Sequence, residues 1–174
     1  MKNVIACIDD SFLSEYVTEA AVWASSKLDM PLTLLHTLEK HTTNKTNDLS
    51  GSIGFGSREH LLDELADLDA KRAKLALEHG KIILKEAQKH AEEDGAQNVT
   101  LLQRHGSLIE TLTELEHNMR MVVLGRSGSS TNISANTIGS HIERAARALH
   151  NPLLITVGEF QAPTNFMIAY DGRE

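Results

Sequence analysis

Val122-Val123-Leu124-Gly125-Arg126-Ser127-Gly128-Ser129-Ser130 is an apolar run that stops at two glycines three positions apart. Gly139-Ser140 follows after a ten-residue spacer, Ser129 to Ile138, and a helical pattern begins there. An apolar run ending in this way reads as a buried strand that opens into a loop able to approach a ligand closely. Successive backbone N–H groups in such a loop, together with those at the following helix N-terminus, suit an anion. Ordinary turn chemistry produces the same spacing, so the rest of the chain decides between the two readings.

Outward from this stretch the same unit recurs. Val4 to Ile8 is a nearly continuous apolar run ending at Asp9-Asp10-Ser11, as expected of a strand buried on both faces. Asp10 or Ser11 can cap the helix that follows, whose apolar positions Leu13, Val17, Ala20, Ala21, Ala24 and Leu28 recur at three and four. Pro31 precedes a second strand, Leu32 to Leu38. Residues 39–57 turn polar and Gly-rich, which predicts a loop that serves as a lid or is disordered. A helical pattern then runs from Arg58 to Glu93. One straight helix of that length would reach about 54 Å, too long for one small domain, so the expectation is a short helix near 60–68, a break, and a main helix over 70–93 capped by Gly95. Val99 to Gln103 is a third strand, Gly106-Ser107 opens a third helix, and Met119 to Leu124 leads into the glycines. Asn151-Pro152 ends the last helix, and Leu153 to Val157 is the fifth strand.

Strands alternating with helices predict an α/β fold: a five-stranded, parallel, doubly wound sheet with helices on both faces. Ligands of such sheets bind beyond the carboxyl ends of the strands, at a topological switch point. Asp9-Asp10, the segment after Leu38, Gly106 and Gly125 to Gly128 all fall at those ends, which favours the ligand-site reading.

Composition narrows the class. With 174 residues, 41% of them hydrophobic and 4% aromatic, the chain suits one domain with an aliphatic core. A net charge of −7 without a Lys/Arg cluster argues against nucleic acid or an anionic membrane as partner. The single cysteine, Cys7, lies in an apolar strand and fits a buried structural thiol in a reducing compartment. No signal-peptide pattern or bilayer-length apolar run is visible, so the expected protein is soluble and cytoplasmic.

The tail echoes the head. After the polar link 159–164, Phe166-Met167-Ile168-Ala169-Tyr170-Asp171-Gly172 has the form of Val4-Ile5-Ala6-Cys7-Ile8-Asp9-Asp10. The organisation expected is a domain over 1–158 and, over 165–174, an extra strand resembling the start of a second copy in a tandem protein. A lone strand cannot bury itself, so Phe166 to Tyr170 is expected to pair with a sheet edge, in cis or by exchange, or to stay disordered.

Together these pieces resemble the universal stress protein family over residues 2 to 158. The resemblance rests on Ile5-Ala6-Cys7-Ile8-Asp9-Asp10-Ser11, Leu34-Leu35-His36-Thr37, His105-Gly106-Ser107, Val123 to Gly128 with Gly139-Ser140, and Asn151-Pro152-Leu153-Leu154-Ile155-Thr156. It implies a Rossmann-like architecture of the adenine-nucleotide α-hydrolase type. Members with the pattern Gly, two residues, Gly, nine residues, Gly, then Ser or Thr bind ATP. By that resemblance Asp9 and Thr37 would face the nucleoside, and Gly125, Arg126, Ser127, Gly128, Gly139 and Ser140 would surround the phosphates, with Gly106 close by. The resemblance further implies ATP, with Mg²⁺, as ligand, a homodimer, and a role in stress response. Three positions depart from the pattern: the spacer has ten residues, Arg120 stands where an acid is usual, and Asp10 where glycine is common.

Catalytic readings find little. A receiver domain would need an aspartate after the third strand, where the chain reads Leu102-Gln103-Arg104-His105. No pair among the nine histidines has metal-ligand spacing with a nearby Cys or carboxylate, and His141 and His150 read as structural. Ser127 does not sit in a Gly-x-Ser-x-Gly elbow, and a paired-histidine nucleotidyl-transfer signature is missing. No catalytic or metal-ligating residue is assigned, and any ATP hydrolysis would be slow and incidental. Two functions remain open: an ATP-binding regulatory module, and a degenerate domain that serves as a dimerisation or partner-binding scaffold.

Overall fold

The computed structural model describes residues 2–39, 55–128 and 139–172, with only the backbone course over 55–59. Five strands, β1 (Asn3–Cys7), β2 (Leu32–Leu38), β3 (Val99–His105), β4 (Met119–Gly125) and β5 (Leu153–Thr156), form one sheet in the order β3-β2-β1-β4-β5. Every neighbouring pair is parallel, as the alternation of elements requires. The chain winds outward from β1 to β3, then returns across β1 to lay down β4 and β5. The switch point is therefore the crevice between β1 and β4.

Each strand supplies both faces, which is why its apolar run is continuous. Val4, Ala6 and Ile8 lie in one core with Leu32, Leu34 and Val123, covered by α1 (Leu13–Leu28) and α2 (Phe55–Glu93). Ile5, Leu35, Val122 and Leu124 lie in the other, covered by α3 (Leu108–Leu115) and α4 (Ser140–Ala148). On α1 the packed face is alanine-rich: Ala20 and Ala21 are fully buried, so the helix axis comes close to the sheet. Trp23 on its flank stacks at 5.8 Å against Phe160 from the segment after β5.

The expected break in the second helical stretch does not occur. α2 is one helix of 39 residues, about 58 Å long, and it already starts at Phe55 within the stretch read as loop. Its C-terminal half packs through Gly80, Ile83, Leu84, Ala87 and Ala91. From His60 to Ala76 every residue is exposed, so the helix runs past the edge of the domain and the size limit did not apply. Gly95 ends it as expected: φ is +89°, and Ala96 N–H donates to Ala91 O at 2.8 Å. The rest of the expected loop, 40–54, and the spacer 129–138 lie outside the described residues.

Residues 165–172 add no strand, and Phe166, Met167, Ile168 and Tyr170 are exposed. The expected pairing with a sheet edge is thus not seen within this chain. Among the described residues no helix is long and apolar enough to cross a membrane.

On the α3/α4 side a single 3-10 turn, Glu116–Asn118, is tied to the start of β5. Glu116 Oε1 accepts His150 N–H at 2.5 Å, and Asn151 Nδ2 donates to Glu116 O at 2.9 Å. The His150 N–H bond, helped by the His150 ring and opposed by partial desolvation, holds the Glu116 carboxyl below its ordinary value. A depressed carboxyl contributes stability above its unfolded pKa and loses it as pH falls through the folded one. Wild type should therefore exceed Glu116→Gln in thermal midpoint at neutral pH, and the gap should close on acidification from about pH 5 downward. Parallel melting curves over that range check it.

Candidate functional site

At the carboxyl end of β1 the chain makes a tight side-chain turn. Asp9 Oδ1 accepts Ser11 N–H at 3.0 Å and Ser11 Oγ–H at 2.5 Å, while Asp9 N–H donates to Ser14 Oγ at 3.0 Å. This Asx turn leads into α1 and fixes the Asp9 carboxylate. The expected side-chain cap from Asp10 or Ser11 is not made: the residue at the cap position is Phe12, and no side-chain cap hydrogen bond is present there. Asp10 is exposed and turns toward α2, with Oδ2 4.0 Å from His79 Nε2.

From the neighbouring strands, Ile8 N–H donates to Leu35 O at 2.8 Å, and His36 Nδ1 lies 2.8 Å from Ile8 O. Thr37 and Leu38 follow at the same rim. Gly106 has φ +116° and donates its N–H to Leu38 O at 3.1 Å, so it makes the turn into α3 that a side chain would strain. Glu39 Oε1 accepts Leu108 N–H at 3.3 Å and covers the α3 N-terminus.

Gly125 closes β4, and Arg126 N–H extends the ladder to Thr156 O at 2.8 Å. The longer spacer does not carry Gly139 away. Its N–H donates to Arg126 O at 3.2 Å, and a Cβ there would stand 2.9 Å from that same oxygen. A Cβ at Gly128 would stand 2.9 Å from Asp9 Oδ2. The two glycines that the loop needs are thus also the two places where backbone and carboxylate leave no room for a side chain.

These elements line an open cavity of about 300 Å³ at the β1/β4 switch point. Of the nine candidate residues, Asp9, Thr37, Gly125, Ser127 and Gly128 line it. Arg126, Gly139, Ser140 and Gly106 do not; Gly139 N–H is bonded to Arg126 O and Gly106 N–H to Leu38 O at its margin. Sequence reasoning missed the wall from α2, Ala76, His79 and Ile83, because the second helical stretch was expected to break and was not followed to the site. It also missed His36 and His141. His36 stands next to Thr37 at a strand end, a signal that was available. His141 is the second residue of α4, and its Nδ1 is buried with no hydrogen-bond partner among the described residues. A buried polar atom of that kind on a cavity wall suits a ligand's acceptor or donor.

Cys7 lines the cavity floor as a neutral thiol: burial, with the Asp9 charge adding to it, pushes its pKa strongly upward. Its alkylation by iodoacetamide at pH 8 should be roughly 100-fold slower in the native protein than in denaturant, since the thiolate is the nucleophile. Timed mass spectrometry measures the ratio. Among the described residues no cluster of three His, Cys, Asp or Glu could hold a metal.

The profile of the Universal stress protein family matches residues 1–156. The chain belongs to the universal stress protein family. Universal stress protein Slr1230 of Synechocystis is 31% identical over 174 residues, covering 99% of this chain and 61% of the relative. The chain therefore spans about three-fifths of the length of that curated relative. Among solved structures, a universal stress protein in complex with cAMP is 19% identical with a TM-score of 0.58, covering 89% of this chain and 95% of the other. UspA from Lactobacillus plantarum gives 18% and 0.56 over 88% and 96%. The Archaeoglobus fulgidus protein in complex with dAMP gives 15% and 0.52 over 89% and 97%. At these identities the likeness shows the fold, and the parallel five-stranded sheet of this universal stress domain is the same architecture.

Proposed function

We propose that this universal stress domain is an ATP-binding regulatory module, acting in stress response by changing its assembly or partner contacts with ligand occupancy. The observation that carries the reading is the switch-point cavity, closed on one side by Asp9 and Thr37 and on the other by the Gly125–Gly128 loop. Its volume, about 300 Å³, is at the small end of ligand pockets. Phosphates would extend over the N–H groups of the loop and toward the α4 N-terminus, whose dipole favours negative charge. Structural relatives in complex with cAMP and dAMP support an adenine nucleotide as the class of ligand.

The charges on the cavity wall refine this. Among the described lining residues Asp9, Asp10 and Glu39 are acidic, and none is Lys or Arg. A bare triphosphate would meet like charge there, so Mg²⁺ would be carried in with ATP rather than held by a protein site. The same acids favour the second reading, a degenerate cavity in a dimerisation scaffold. Calorimetry separates them: micromolar ATP binding that weakens when Mg²⁺ is chelated supports the module, and no heat with ATP or AMP at millimolar ligand leaves the scaffold.

The homodimer and the cytoplasmic location belong to this proposal as well. So does the tandem organisation, in which 165–174 opens a second copy; the relative's greater length is consistent with it.

A further inference from the structure

The cavity has a particular charge balance for a site that takes an anion. Its acids are Asp9 and Asp10 from the turn after β1 and Glu39 after β2; the groups able to carry positive charge among the described lining residues are three histidines, His36, His79 and His141. Arg126, the arginine of the glycine loop, is not on the wall. Phosphate is ordinarily met by Arg, Lys or a bound metal. Here the protein's own compensating charge has to come from imidazole.

Two of the three histidines are already engaged. His36 Nδ1 lies 2.8 Å from Ile8 O, and the far edge of its ring is covered by α2, where a Cβ at Gly80 would stand 2.9 Å from Nε2. His79 on α2 is turned to Asp10, with Nε2 4.0 Å from Oδ2. His141 is different: the residue is half-buried, and its Nδ1 is shut off from solvent with no hydrogen-bond partner among the described residues. A buried nitrogen left unpaired is costly, and a ligand oxygen on that wall relieves the cost.

The fold sets the position of this ring. The bond from Gly139 N–H to Arg126 O at 3.2 Å ties the start of α4 to the glycine loop, and His141, the second residue of α4, lines the same cavity as Ser127 and Gly128. A cation at a helix N-terminus is disfavoured alone and favoured once an anion sits beside it, so proton and anion bind together. The other charges around α4 are Glu110 and Glu114 of α3, both exposed, and on α4 itself Arg144 and the pair of Glu143 with Arg147 at 2.9 Å. None of these lines the cavity.

We propose that His141 receives the ligand's phosphate as an imidazolium, so that binding a nucleotide takes up a proton. The inference rests on the nucleotide reading above and adds how that site is regulated: affinity rises as pH falls through the range in which histidine changes charge, about pH 5–8. The proton comes from solvent and stays on the ring, and no bond of the nucleotide breaks.

Calorimetry on the full chain with ATP and excess Mg²⁺ tests it. Wild type should bind about tenfold more tightly at pH 6 than at pH 8, and its heats in buffers of different ionisation enthalpy should give uptake of roughly half a proton at pH 7. His141→Gln should lose most of the pH dependence and of the proton uptake, with affinity at pH 8 kept within about threefold. Adenosine, which carries no phosphate, should show neither effect. In NMR spectra of the wild type, the histidine resonance that is missing from His141→Gln should titrate at higher pH with ATP than without, a readout that does not depend on how well the variant folds. A merely structural role for His141 would change affinity equally at both pH values and leave the proton uptake in place. ATP binding equally tight at pH 6 and pH 8, or proton uptake that persists in His141→Gln, overturns the proposal while the nucleotide reading stands. No heat with ATP at either pH overturns that reading, and this proposal with it.

Discussion

Gly128→Val should lower ATP affinity at least ~100-fold, about 2.7 kcal/mol, and leave the fold intact. Any side chain at this position begins 2.9 Å from Asp9 Oδ2. That carboxylate cannot swing aside cheaply, because its other oxygen is held by Ser11 N–H and Ser11 Oγ–H. Valine adds two methyl groups that either fill the cavity beside Ser127 or push the loop away from the line of N–H groups that phosphates would use. Gly128 is half-buried at the rim and takes no part in either core, so the melting temperature should shift by no more than a few degrees. Gly158→Val is the control, since a Cβ there meets nothing within 4 Å. Calorimetry with ATP and Mg²⁺ on the three proteins checks the expectation. Undiminished binding by Gly128→Val would place the phosphates elsewhere.

Why five strands could be located from sequence while one helix was misjudged follows from where each is buried. Val4-Ile5-Ala6, Leu32 to Leu35 and Val122 to Leu124 are covered on both faces, so burial itself writes a continuous apolar run. The strand order is a different kind of information. Nothing local tells β4 to return beside β1, although the convergence of Asp9 with Gly125 already required that some pair of strand ends meet. For α2 the pattern was helical throughout, and only an assumption of compactness argued for a break. The protein relaxes that assumption by letting residues 60–75 run past the edge of the domain. The same misjudgement hid the cavity's third wall, because Ala76, His79 and Ile83 reach the site only if the helix continues across the strand ends. His141 was hidden for another reason: its place on the wall depends on the return of Gly139 to Arg126, a contact made across the spacer.

Gly80 joins α2 to the site, and its replacement should have the largest effect on stability. Glycine in a helix interior is about 1 kcal/mol worse than alanine, so substitution would ordinarily stabilise. Here a Cβ would stand 2.3 Å from Gln103 Nε2, 2.6 Å from His36 Cδ2 and 2.9 Å from His36 Nε2. Gln103 is the end of a flexible chain and can move, though it would give up its bond to Leu77 O at 3.2 Å. His36 is less free, because its ring is anchored at 2.8 Å to Ile8 O beside the cavity. Crowding therefore outweighs helix propensity. Gly80→Val, bulkier and β-branched, should cost about 3 kcal/mol, or roughly 6–12 °C in thermal midpoint for a domain of this size. Gly80→Ala should cost less, and in it His36 should lose its hold on Ile8 O. That change can be read as a shifted His36 ring resonance in NMR spectra. A stabilised Gly80→Ala protein with an unmoved His36 resonance would mean that α2 can slide outward at no cost, and that the close crossing over β2 and β3 is not what holds the helix against the site.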